Sequence, residues 1–106
     1  MCKVTVEGKM VEADLSRLHI TVEGRVQGVG FRYFVAENAQ RLKLTGWVRN
    51  RWDGSVEMIA EGNRSILEQL LALVRRGPRS SLVLGIKTDW QESTGEFRGF
   101  RIRSTR

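Results

Sequence analysis

The 106-residue sequence contains one cysteine, Cys2, one histidine, His19, and one proline, Pro78. A lone cysteine excludes an internal disulfide. With a single histidine beside it, there is no cluster of soft ligands for a structural or catalytic metal, so neither metal nor cofactor is expected. No run approaches the roughly 18 apolar residues of a membrane span, and nothing N-terminal resembles a signal peptide. The expectation is a cytoplasmic protein with no membrane partner.

What is present is enough for one core. Hydrophobic residues make up 41% of the chain, and a length of 106 residues fits one domain. The formal net charge is +6. Within residues 1–17, Lys3, Lys9 and Arg17 are cancelled by Glu7, Glu12 and Asp14, so the whole excess belongs to the segment from Leu18 onward. Such a surface suits phosphorylated small molecules, nucleic acid or acidic proteins, or serves solubility alone.

Residues 1–17 read as an extension, either an extra edge strand or disordered, with Met10 as an alternative start. Val4 and Val6 alternate and Gly8 breaks the pattern. Thr5-Val6-Glu7-Gly8 recurs as Thr21-Val22-Glu23-Gly24, too short a match to make a repeat. From Leu18 to residue 106 the pattern is that of one domain. Leu18, Ile20 and Val22 alternate with polar residues as a half-buried strand, which puts His19 on the solvated side. Phe31, Val35, Ala39 and Leu42 have helical spacing, with Gly46 closing that region. Gly46 to Asn50 and Val56 to Glu61 read as strands joined by the turn Trp52-Asp53-Gly54.

Asn63 is a candidate N-cap for a second helix, whose adjacent stripes Ile66, Leu70, Leu73 and Leu67, Leu71, Val74 give a broad apolar face and which stops at Gly77-Pro78. Leu82 to Ile86 reads as a strand, Asp89 to Gly95 as a loop, and Phe100 to Arg103 as a closing strand. The expected architecture is an α+β, ferredoxin-like sandwich (βαββαβ), an antiparallel sheet with two helices on one face.

The stretch around which this order is arranged is Gly24-Arg25-Val26-Gln27-Gly28-Val29-Gly30-Phe31-Arg32. Glycines allow the backbone to curl until several N–H groups point inward, and the following helix aims its positive end at the same concavity. Arg32 is unfavourably placed in a first helical turn unless an anion lies beside it. The lysine and hydroxyl of a nucleoside-triphosphate loop are missing, and the glycines do not form the dinucleotide fingerprint. The reading is a cradle for a different anion; the bland alternative is a strand-to-helix turn. Asn50, by position alone, starts a turn.

Taken together, this loop, the segment Gly46-Trp47-Val48-Arg49-Asn50 with Gly54, Val56 and Gly62 in register, Gly77-Pro78 and Phe100-Arg101-Ile102 resemble the acylphosphatase family over about Leu18 to Arg103. The resemblance implies hydrolysis of small acyl phosphates to a carboxylate and inorganic phosphate, without metal or cofactor. It implies phosphate binding by Arg25, Val26, Gln27, Gly28, Val29, Gly30 and Arg32, with Arg32 and Asn50 catalytic, Asn50 orienting the attacking water. A monomer is expected. The alternative is a non-catalytic phosphate- or nucleic-acid-binding module of the same fold. Nucleic acid is the less favoured partner, because Phe31, Tyr33 and Phe34 fall in a helix rather than on an open strand.

Overall fold

The computed structural model describes residues 3–6, 9–12 and 14–106; Cys2 and the break expected at Gly8 lie outside them. Strands β1 (Lys3–Val6) and β2 (Lys9–Glu12) pair antiparallel with each other in a two-stranded sheet of their own. Residues 3–6 and 9–12 of the expected extension thus pair with each other, Leu15, Ser16 and Arg17 already belong to the main sheet, and the edges of that sheet are made by later strands.

The main sheet uses β3 (Leu15–Arg25), β4 (Thr45–Asn50), β5 (Val56–Asn63), β6 (Leu82–Glu92) and β7 (Phe100–Ile102), with α1 (Phe31–Arg41) after β3 and α2 (Arg64–Arg76) after β5. Its order is β6-β3-β5-β4-β7. The first four strands are antiparallel, as expected of a ferredoxin-like fold; β7 is added parallel to β4, making the sheet mixed. Alternation decides which side is buried. Leu18, Ile20 and Val22 of β3 meet Ala60, Met58 and Val56 of β5 in register, and all are buried beneath the helices. Phe31, Val35, Ala36 and Ala39 of α1 and Leu67, Leu70 and Val74 of α2 complete this core. Each large side chain among them contributes roughly 1.5–3 kcal/mol.

Two boundaries differ from expectation. Helix α1 stops at Arg41, well before Gly46. Leu44 N–H donates to the Ala39 carbonyl and Lys43 N–H to that of Gln40, with Lys43 itself at φ 59°. This is a Schellman closure on a non-glycine residue, held by the buried Leu44 that follows it. Gly46 instead lies inside β4 at φ 139°, where a Cβ would run into the Ile59 carbonyl of β5. Strand β6 also continues to Glu92, through residues that look like loop. It stays paired with β3 as far as Ser16, and Trp90 packs on the core under the Arg64 guanidinium, 4.0 Å from the ring centroid. Asn63 caps α2 as expected, its Oδ1 accepting from Ser65 N–H at 3.0 Å.

The sheet face away from the helices is polar but far from bare. His19 is half-buried there rather than solvated, its Nε2 2.7 Å from Glu57 Oε2. Arg49 and Arg51 hold the other oxygen of Glu57, Arg49 Nη2 at 2.8 Å and Arg51 Nη1 at 3.1 Å. Glu61 accepts from the N–H groups of Thr94 and Gly95, both at 2.9 Å, and so pins the segment leading to β7. Burial alone would raise the pKa of Glu57; the bonds from His19, Arg49 and Arg51 outweigh it and the net shift is downward.

Two outcomes follow from this packing. Gly46→Ala should lose about 3 kcal/mol or more in urea unfolding, since both the dihedral and the contact with β5 are violated. The stability supplied by Glu57 is complete above its ordinary pKa of 4.5 and is lost as pH falls through the lower folded value. Glu57→Gln should therefore be less stable than the parent at neutral pH and flatten the acid limb of its stability curve, as followed by circular dichroism.

Candidate active site

The site forms where β3 ends. A register shift between Glu23 and Gly24 skips Leu84 of β6, pairing resumes at Gly24–Val83 and Arg25–Leu82, and the chain turns away after Arg25. Val26 is buried in the core and Val29 packs against it, which fixes two points of the loop. Gly28 and Gly30 take φ 72° and 79°, left-handed conformations that valine or alanine would resist. A Cβ at either would meet nothing within 4 Å, so the requirement there is conformational, not steric.

Gln27 supplies the third anchor. Its carboxamide donates to the Arg51 carbonyl at 2.7 Å and to the Ser55 carbonyl at 2.8 Å. Those two carbonyls flank the β4–β5 turn, which is closed by Arg51 N–H on Ser55 O and by Asp53 accepting from the Ser55 amide and hydroxyl. One side chain therefore ties the glycine loop to the hairpin.

With Val26, Val29 and Gln27 committed elsewhere, the backbone amides are left over. Among the described residues, no amide from Gln27 to Tyr33 donates to a backbone carbonyl. Gly30 caps α1 without a side chain, and the first turn contains no acidic residue. Unpaired N–H groups and the positive end of the helix thus share one concavity. A cavity of about 210 Å³ opens there, lined by Val26, Gly28, Gly30, Phe31, Arg32, Tyr33 and Asn50.

Arg32 and Asn50, far apart in sequence, are brought to the same cavity. Arg32 forms no ion pair among the described residues. Asn50 ends β4, opposite Val56, and its Oδ1 is buried with no hydrogen-bond donor. A buried unpartnered carbonyl costs about 1–3 kcal/mol, so it marks a group kept free for something else. The side chains of Arg25, Gln27 and Val29 do not line the cavity; Arg25 is exposed at the end of β3, and the other two are the anchors just described. Sequence reasoning missed the tether of Gln27, though a polar residue between two valines, one buried and one half-buried, was a signal for it. It also missed Tyr33, which lines the mouth while 70% exposed.

The sequence model of the acylphosphatase family matches residues 18–102. The chain belongs to the acylphosphatase family. It is 50% identical to an acylphosphatase of Moorella thermoacetica over 91 residues, which is 86% of this chain and 97% of that one. An acylphosphatase of Salinibacter ruber is 48% identical over 87 residues, covering 82% and 92% of the two chains. Among solved structures, the acylphosphatase of Bacillus subtilis superposes with a TM-score of 0.80 at 43% identity, over 83% of this chain and 98% of that one. The cavity therefore lies in a fold that acylphosphatases share.

Gln27→Leu removes both donors, while the Ser55 and Arg51 carbonyls keep only their turn bonds from the N–H groups of Arg51 and Gly54. Stability should fall by about 2 kcal/mol in urea unfolding. Affinity for inorganic phosphate, measured by calorimetry, should fall with it as the loop loosens.

Proposed function

We propose that this acylphosphatase splits small acyl phosphates at one cavity. The phosphoryl group sits on the amides of residues 25–30 and on Arg32, and Asn50 orients the attacking water. The observation that carries this reading is that Asn50, whose buried Oδ1 has no donor, lines the same cavity as Arg32, whose guanidinium forms no ion pair among the described residues. An acceptor beside an anion cradle is suited to water, which can donate to it and direct a lone pair at phosphorus.

The chemistry asks little more of the protein. Water attacks phosphorus in line with the acyl oxygen; a new P–O bond forms as the P–O bond to the acyl group breaks. The carboxylate departs with the bonding electrons. Its conjugate acid has a pKa of roughly 4, like that of Asp or Glu, so no general acid is needed. The proton of the attacking water passes to a phosphate oxygen of the substrate, giving carboxylate and inorganic phosphate. Loop amides and Arg32 neutralise charge on the phosphoryl oxygens throughout, which is where most of the catalysis of such reactions lies.

No helix among the described residues is long and apolar enough to cross a membrane. A cytoplasmic monomer that needs no metal or cofactor, with its chemistry confined to residues 18–106, completes the proposal.

Two substitutions separate the roles. Arg32→Gln removes a charge-assisted contact worth roughly 1.5–3 kcal/mol, so kcat/KM for benzoyl phosphate should fall more than tenfold and phosphate inhibition should weaken. Asn50→Ala should lower kcat by more than tenfold yet leave phosphate inhibition within about threefold, because water and not phosphate loses its partner. Near-normal turnover by both variants would remove the site. Phosphate binding without turnover by the parent chain would favour the non-catalytic module.

A further inference from the structure

The excess positive charge is not used up by the cradle. Strand β7 runs at the edge of the sheet, and alternation turns Phe100 and Ile102 toward the helices while Arg101 and Arg103 face the open side. Arg103 N–H still donates to the Val48 carbonyl at 2.8 Å, so the strand geometry persists beyond Ile102. Two shallow cavities lie along this edge and share Arg103. One, of about 240 Å³, is lined by Gly46, Glu96, Phe97, Arg98, Gly99, Arg101 and Arg103. The other, of about 260 Å³, is lined by Arg49, Arg103, Ser104 and Arg106.

Among the described residues, Arg98, Arg101, Arg103 and Arg106 meet no carboxylate within ion-pair distance. Glu96, the one acid in either lining, is turned to Arg17 at 3.6 Å. The Arg103 guanidinium lies over Trp47, 5.1 Å from its ring centroid, which holds one cation of the row in place; Arg49, 4.5 Å from the same centroid, is paired with Glu57. At the end of the row the backbone pairs with the hairpin tip: Trp52 N–H donates to the Arg106 carbonyl at 3.1 Å, and the Trp52 side chain is 83% exposed.

We infer that this edge binds single-stranded nucleic acid without sequence preference. The phosphates would follow Arg98, Arg101, Arg103 and Arg106, and a base would stack on Trp52. Arg101 and Arg103, alternate residues of one extended segment, stand about 6.6 Å apart, an interval suited to successive phosphates of a stretched strand, and Arg98 and Arg106 flank them in sequence. Planar guanidiniums bind phosphate oxygens through paired N–H groups, and an exposed indole at the end of a basic track supplies the stacking element such surfaces use. An acidic peptide would find the same charge but no use for the indole, and the indole decides between them. The surface differs from the recognition-motif geometry weighed for Phe31 to Phe34: it uses the outer edge of the sheet and not the loop–helix segment.

Fluorescence anisotropy with labelled twelve-residue oligo-dT and oligo-rU, titrated with the whole chain, tests the proposal. Saturable binding with a Kd on the order of 10 µM at 50 mM NaCl is expected. Its logarithm should vary with log salt at a slope of about 2–3, that of three or four phosphate contacts. Arg101→Gln with Arg106→Gln should weaken binding about tenfold and lower the slope by about 1.4, with benzoyl phosphate turnover unchanged as proof of folding. Trp52→Ala should weaken it severalfold, and quenching of tryptophan emission by the oligomers should diminish in that variant. Absence of saturable binding at 50 mM NaCl would overturn the proposal. So would equal affinity for polyglutamate of matched charge, or an affinity indifferent to both the double arginine variant and Trp52→Ala.

Discussion

Two hydrogen bonds from one carboxamide hold the functional architecture together. Gln27 donates to the Arg51 and Ser55 carbonyls and so fixes the glycine loop against the β4–β5 hairpin. Without that tether the loop would be anchored only by Val26 and Val29 on its own side of the cavity. The amides of the loop and the acceptor of Asn50 belong to segments about twenty residues apart in sequence, and the proposed action of both on one phosphoryl group requires their separation in space to be constant. Preorganisation of this kind is what phosphoryl transfer asks of a protein, since little covalent work is left to side chains.

The open face of the sheet supports the same hairpin from the other side. Glu57 and Glu61 are buried carboxylates, and burying charge is costly unless every oxygen is bonded. Glu57 is held by His19, Arg49 and Arg51, and Glu61 by Arg17 and the amides of Thr94 and Gly95. Arg51 thus serves twice, its side chain on Glu57 and its carbonyl on Gln27. The half-buried histidine on this face needs no catalytic duty to explain it: it is one of three donors to a single carboxylate.

Much of this was legible from residue order. Periodicity in Leu18-Ile20-Val22, in Phe31-Val35-Ala39 and in the adjacent stripes Ile66-Leu70-Leu73 and Leu67-Leu71-Val74 identifies strand and helices because one face of each must leave water; of the second helix, Leu67, Leu70 and Val74 are the fully buried members. The glycine loop and Arg32 stood out through backbone freedom and an awkward charge at a helix start, and both border one cavity. Elements whose limits depend on partners were less legible. The polar residues from Asp89 to Glu92 are strand because β3 extends beside them, and Gly46 is buried in a sheet because the Ile59 carbonyl leaves no room for a side chain.

The sequence by itself determined the fold class and the two helices, since these follow from local spacing and side-chain chemistry. Tertiary structure alone decided that Asn50 joins Arg32 at one cavity, that Gln27 faces the hairpin, and that β7 lies parallel to β4. Those relations link positions about twenty to fifty residues apart, and no local pattern encodes a distance across a sheet.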